Sequence, residues 1–447
     1  MTRPAGPGRF ARPALVPALP RPAWVVLGGD FVSAVGSGLT LPFLFIYAHQ
    51  VRGLPDGTAG LVVATIAVAS LAGNPAGGVL ADRATPRRAL MAGLVLAAAG
   101  SAALAAARTG PGLFAAAALL GLGVAVIWPA QDALLAALAG PGAGSAVFAV
   151  RHACLNAGLG LGALAAAAVI STAHPTTFTA IYLADAATFL AFVPVLARLR
   201  PPAPPASPPP PASEPPAAAP GRAGFRQVLA DRAFVRVWVL AAVLVTVSFG
   251  QSGSSFAAYA TRPGGIGPHG LALAFAANTL TVVAAQLVIL HRLAGHRRTT
   301  AAALAAAAWA ASWAVVIAAG HLGGSAAAKA AFAAAMVIFA LGECLLSPTL
   351  PAIINDLAPP RAAGRYNGLG ALAFTTGFLA GPIAGGAALG AGAGTALFAA
   401  LILTCAAAAA FALRLARHLP AAANHIPGHQ PATPQHEPRD HYQTATA

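Results

Sequence analysis

Charge is scarce in this chain: charged residues make up 8% of its 447 positions, against 58% that are hydrophobic. A soluble fold is excluded on that ground, because so few polar groups could not cover the surface of a chain this long. Cysteine is almost missing as well. Cys154, Cys344 and Cys405 all lie inside apolar runs, where small hydrophobes belong, so no disulfide framework, metal site or redox compartment follows. The first 21 residues have prolines and arginines but no apolar core, so a cytosolic tail leading into an uncleaved first helix is expected. No cluster of metal ligands and no nucleophile with a neighbouring base falls at membrane depth, so neither an enzyme nor a cofactor is expected. The formal charge of +15 does not point to nucleic acid, because the arginines are scattered between apolar runs instead of gathered on one polar domain.

What is abundant is apolar sequence in lengths that match a lipid bilayer, which takes ~20 residues per helix. Twelve such segments are expected, at 22–48, 58–81, 89–107, 112–138, 146–171, 175–197, 235–258, 269–290, 300–320, 325–351, 367–390 and 394–416. If both termini are cytosolic, 22 of the 26 basic residues fall on the cytoplasmic side, and only Arg52, Arg108, Arg262 and Lys329 fall outside. Short basic loops are retained in the cytosol, so this bias predicts a multi-pass protein of the cytoplasmic (inner) membrane in that orientation. Residues 200 to 224 are dense in proline and read as an extended connector. The expected organisation is a cytosolic tail (1–21), a six-helix bundle (22–199), a Pro-rich cytoplasmic linker (200–234), a second six-helix bundle (235–417) and a disordered cytosolic tail (418–447). His425, His429, His436 and His441 are irregularly spaced in that tail, which argues against a metal site.

The two bundles are repeats of one another. Adding 219 carries Gly123 to Gly342, Pro129 to Pro348, Leu138 to Leu357, Pro141 to Pro360, Gly158 to Gly377 and Gly162 to Gly381. Trp24 and Gly36 map more loosely onto Trp238 and Gly250. Parallel duplication of this kind implies an interface between halves, near mid-membrane, where a carrier would hold its substrate.

Between the second and third segments, Gly73 to Leu90 turns from apolar helix to an acid and three arginines. Gly78, Leu80, Ala81, Asp82, Arg83, Arg87 and Arg88 resemble the G-x-L-a-D-R-x-G-x-R-R signature of the major facilitator superfamily, with Thr85 where the family has a glycine. The resemblance implies an all-α fold of twelve transmembrane helices in two pseudo-symmetric six-helix bundles. It also implies a gate at Gly78, Asp82, Arg83, Arg87 and Arg88, with Asp82 beside the start of helix 11, near Arg365 to Asn367. A string in helix 11, Gly377, Gly381, Pro382, Gly385 and Gly386, is similar to the helix 5 signature of the family's drug:proton antiporters. It stands in the other half, however, and the arginine those antiporters carry in helix 4 is Ala117 here.

Ionisable groups inside spans are costly and tend to face a cavity or a partner. Asp30 lies ~12 Å from the start of its helix, and burial raises a carboxylate's affinity for protons, so Asp30 is the first candidate for proton coupling. Glu343 and Asp185 follow it. Helix 10, which carries Glu343, lines the cavity in the resembled family, whereas helix 6, which carries Asp185, is peripheral. Asp132 and Arg151 sit at matching depths on adjacent antiparallel segments, which suits a structural ion pair, with Arg83 or Arg87 as alternative partners for the acid. Trp128, Gln131, Asn156, Gln251, Asn278 and Gln286 are the candidates to line a moderately polar cavity, and interhelical hydrogen bonding explains any one of them equally well.

The resulting expectation is a monomeric secondary active transporter that moves a small amphipathic compound out of the cell against protons, by rocking of the two halves. Uptake of a sugar or small metabolite is the alternative within the class. A non-transporting membrane sensor is the alternative outside it, and the absence of an extra folded segment between the spans speaks against that.

Overall fold

The structure, a computed structural model, describes residues 16–199 and 224–427. Among the described residues, twelve helices are long and apolar enough to cross a membrane: α1 (Arg21–Val51), α2 (Asp56–Ala84), α3 (Pro86–Ala106), α4 (Gly110–Ala139), α5 (Gly144–Val169), α6 (Thr176–Arg198), α7 (Arg232–Thr261), α8 (Pro268–Leu293), α9 (Arg298–Gly320), α10 (Ala326–Leu357), α11 (Ala363–Gly390) and α12 (Gly394–Leu415). Each expected segment is present, and most extend a few residues further, α4 and α7 with side-chain caps from the preceding turn. Thr109 Oγ1 accepts from Gly112 N before α4, and Asp231 Oδ1 accepts from Ala233 N and Phe234 N before α7. Asp231 lies within the expected linker, so the second bundle begins earlier than 235, after a short helix Phe225–Ala230. The Pro-rich stretch up to Ala223 lies outside the described residues.

Among the described residues, the two large hydrophobic cores fall one in each half. Buried aromatics hold their polar atoms on backbone carbonyls: Tyr47 Oη donates to Leu104 O (2.8 Å), Trp309 Nε1 to Phe339 O (3.1 Å) and Trp313 Nε1 to Val247 O (2.9 Å). The opposite faces carry bare leucines, such as Leu164 at 71% and Leu403 at 72% exposure, which only a lipid surrounding makes favourable.

The duplication is visible in the packing. Gly158 and Gly162 bring α5 onto α1, against Phe31 to Leu39, while Gly377 and Gly381 bring α11 onto α7, against Val245 and Gly250. The looser offset fails at one position. Gly36 abuts Asp185 and Thr188 of α6, and Gly38 takes the place beside Gly162. Three of the spanning helices are irregular. α1 ends in a π-helical turn, Tyr47–Val51, and α7 contains another, Ser252–Phe256. α10 is interrupted between Leu346 and Leu350, at Pro348, whereas its repeat partner Pro129 sits within an unbroken α4.

Candidate functional site

One end of the bundle is sealed by α2 against α11. A Cβ on Gly368 would stand 2.7 Å from the Asn74 carbonyl, and Gly78 and Gly364 stand backbone to backbone, so small residues are required on both helices. Asp82 follows one turn after Gly78 and reaches the first turn of α11. Its Oδ1 accepts from Gly364 N (2.6 Å), and its Oδ2 accepts from Arg365 N (3.1 Å) and Arg365 Nη1 (2.9 Å). A carboxylate from one half therefore satisfies orphan N–H groups at a helix start of the other, at the positive end of its dipole.

The gate arginines do not join it. Arg87 Nη1 donates to Leu199 O (2.6 Å) past the end of α6, while Arg83 and Arg88 are exposed. Thr85 has φ 131° and ψ 148°, the positive-φ backbone that a glycine would adopt freely, and its Oγ1 caps the following helix at Arg88 N (3.3 Å).

Deeper in, Arg151 of α5 is buried between two acids. It bonds Asp132 Oδ1 of α4 through Nη1 and approaches Asp30 Oδ2 of α1 at 3.4 Å through Nε. Asp132 therefore pairs with Arg151, and its alternative partners in the loop are taken up elsewhere or exposed. The face of Trp128 covers the guanidinium at 4.8 Å, and the ring itself is 38% exposed. Asp30 makes no hydrogen bond through Oδ2, so its contact with Arg151 is the looser of the two.

Beside this cluster, Glu343 of α10 meets residues from two other helices. Asn278 Nδ2 of α8 donates to Oε1 (3.3 Å), and His152 Nε2 of α5 lies 3.6 Å from Oε2. Asn156 sits one turn beyond His152, with Nδ2 donating to its carbonyl (3.0 Å). Sequence reasoning missed His152, although an imidazole within an apolar span was a readable signal. It also missed the bond from Asn74 Nδ2 to Thr375 Oγ1 (2.7 Å), which joins the halves at the same level.

The other candidates stand apart. Asp185 is buried on the far side of α1, accepting from Thr40 Oγ1 (3.3 Å) and Ser101 Oγ (2.8 Å), among helices of its own half. Gln251 donates to Gly381 O (3.1 Å) and accepts from Ser255, and Gln286 donates to Cys344 O (3.2 Å) and accepts from Ser347 Oγ (3.0 Å). Both are fully buried in helix packing, as is Gln131 without those bonds. Of the six cavity candidates, Trp128, Asn156 and Asn278 belong to the central cluster. Among the described residues, the hydrogen bonds and ion pairs that join the two halves all lie between this level and the Asp82 end.

The sequence profile described as Major Facilitator Superfamily matches residues 26–262, just over half of the chain. The chain belongs to the major facilitator superfamily. It is 24% identical over 365 residues to an uncharacterised MFS-type transporter, YttB, of Bacillus subtilis (strain 168), covering 81% of this chain and 87% of that protein. Its fold is similar to a bacterial homologue of the iron transporter ferroportin in an outward-facing state (TM-score 0.70, 15% identity, 89% of this chain and 100% of that one). It is also similar to the E. coli fucose:proton symporter FucP (TM-score 0.67, 13% identity, 89% and 98%) and the human organic anion transporter MFSD10 (0.65, 14%, 88% and 100%). This superfamily member is thus a multi-pass membrane transporter with its halves sealed at the Asp82 end.

Proposed function

We propose that the transporter exports small amphipathic compounds across the cytoplasmic membrane in exchange for protons, as a monomer, by alternating access. The observation that carries this reading is one guanidinium, Arg151, held between a buried carboxylate, Asp30, and a partly buried one, Asp132. With all three ionised, the cluster has one negative charge in excess, and one bound proton makes it neutral. Excess charge at that depth is costly, so occupancy by a proton and occupancy by a positively polarised substrate compete for the same deficit.

Asp30, with the looser contact, is the proposed proton carrier. Glu343 is the second, because its distance from His152 changes whenever α5 and α10 part. Trp128 offers a partly exposed aromatic face next to the cluster, suited to the apolar side of an amphipathic compound. In the orientation given by the arginine bias, both termini are cytosolic, the Asp82 end is the cytoplasmic one, and the arrangement described is closed to the cytoplasm.

Everted vesicles test this. With an imposed acid-inside gradient, the wild type accumulates substrate, and Asp30→Asn loses accumulation but keeps downhill exchange, since the moving parts are untouched. The driving force at stake is ~2.3 kcal/mol per proton charge per 100 mV, enough to distinguish the two. Accumulation by Asp30→Asn at the wild-type rate would reject Asp30 as carrier, leaving Glu343.

A further inference from the structure

The chain does not leave the bundle where α12 ends. Residues 418–427 belong to the stretch expected to be a disordered tail, yet they double back beneath α9 and α10. Pro420 opens a single helical turn, Ala421–Asn424, and His425 then pairs with Arg297 in an antiparallel bridge. Gly295 N donates to Ile426 O (2.9 Å) and Ile426 N donates to His296 O (2.9 Å). The Ile426 side chain is buried with Leu293 and Ala301. Asn424 Oδ1 accepts from Thr299 N (3.0 Å) and so caps α9, whose own N-cap residue makes no side-chain bond. Pro427 lies beside Gly142, in the turn between α4 and α5 of the other half.

Arg298, 1% exposed, ties this segment to the seal. Nε donates to Ser145 Oγ at the start of α5 (3.0 Å), while Nη1 donates to Asp356 at the end of α10 and to the Ala423 carbonyl (2.9 Å). The repeat offset of 219 carries Ser145 to Gly364, one of the residues Asp82 grips. Arg298 therefore holds the α5 start at the position that repeats the α11 position held by Asp82. The second-half loop, however, is a degenerate echo with His291 and Arg292 where the first has Asp82 and Arg83. It has no acid with which to hold the α5 start.

We infer that residues 420–427 form an intramolecular strap that takes over this role and holds the end shut. The strap fixes Arg298 through Ala423, caps the helix that carries Arg298 through Asn424, and braces the other half through Pro427. Opening this end separates Ser145 from Arg298 and Gly142 from Pro427, so Pro427 favours the sealed arrangement directly, and the Ala423, Asn424 and Ile426 contacts favour it by holding Arg298 and Pro427 in place. The inference rests on the alternating-access part of the proposed function and needs neither the proton nor the cargo.

Spin labels on cysteines replacing the exposed Pro141 and Arg361, one in each half, report the opening in the full chain with its native cysteines replaced. The strap predicts that a chain ending at Leu419 shifts the distance distribution to the longer, open separation. Asn424→Ala, which removes one capping bond and nothing from the core, shifts the open-to-closed ratio about fivefold, the size of a lost cap. It decides the matter if the shortened chain fails to fold, and Ile426→Ala acts in the same direction. A shift with Asp82→Asn but none with Asn424→Ala or Ile426→Ala overturns the strap alone. No shift with any of them overturns alternating access, and the strap with it.

Discussion

Thr85 is the residue at which this chain breaks its family pattern, and the backbone there keeps the conformation the pattern calls for. A β-branched residue at φ 131° is strained, a cost of order 1–3 kcal/mol. Its hydroxyl recovers some of this by capping Arg88 N, but replacing a capping threonine by glycine costs only a few tenths of a kcal/mol. The strain outweighs the cap, so Thr85→Gly is expected to stabilise the folded protein by about 1 kcal/mol, read as a raised midpoint in a thermal unfolding scan in detergent. A lowered midpoint would mean that the cap outweighs the strain. Arg151 is the opposite case: its residue type was legible from the matched depths of Asp132 and Arg151, but its second acid was not. Asp30 lies on α1, far away in sequence, and only the approach of α1 to α5 through Gly158 and Gly162 brings the carboxylate within 3.4 Å.

At the scale of elements, α2 and α11 are joined through Asp82, and this contact was readable from the resemblance down to the neighbourhood of Arg365. The twelve helices and the duplication were readable too, because bilayer length and small-residue spacing are local properties of sequence. The role of glutamines was not: Gln251 and Gln286 carry the same amide as Asn156 and Asn278, and only tertiary packing decides that they bond a neighbouring helix of their own half, Gly381 and Cys344, and stay out of the central cluster. Hydrogen bonds to a charged group contribute ~1.5–3 kcal/mol each, and Asp82→Asn keeps one acceptor oxygen while losing the charge that faces the α11 dipole and Arg365. A loss of the order of 1–2 kcal/mol is expected, enough to raise the open population about tenfold at the Asp82 end. The Pro141–Arg361 label separation should lengthen, with expression close to normal. An unchanged distribution would remove Asp82 from the latch.

For the whole molecule the remaining variable is which way the sealed end faces. The positive-inside bias rests on 22 basic residues against 4. Arg52 is committed to its own helix end, donating to Tyr47 Oη through Nε (3.0 Å) and Nη2 (2.7 Å). A lysine or arginine near a short loop holds that loop in the cytosol, so the Asp82 loop, the strap and the exposed Pro360 are expected inside, and the exposed His321 outside. Cysteines replacing Pro360 and His321 test this, since the native Cys344 and Cys405 are buried and Cys154 can be replaced. In intact cells an impermeant thiol reagent should label His321→Cys and spare Pro360→Cys, and after permeabilisation both should react. The reverse pattern would turn the sealed end outward and make the same packing a state closed to the outside. Asp82 and the strap would then close the external door, and acid-inside accumulation in everted vesicles could no longer be read as export.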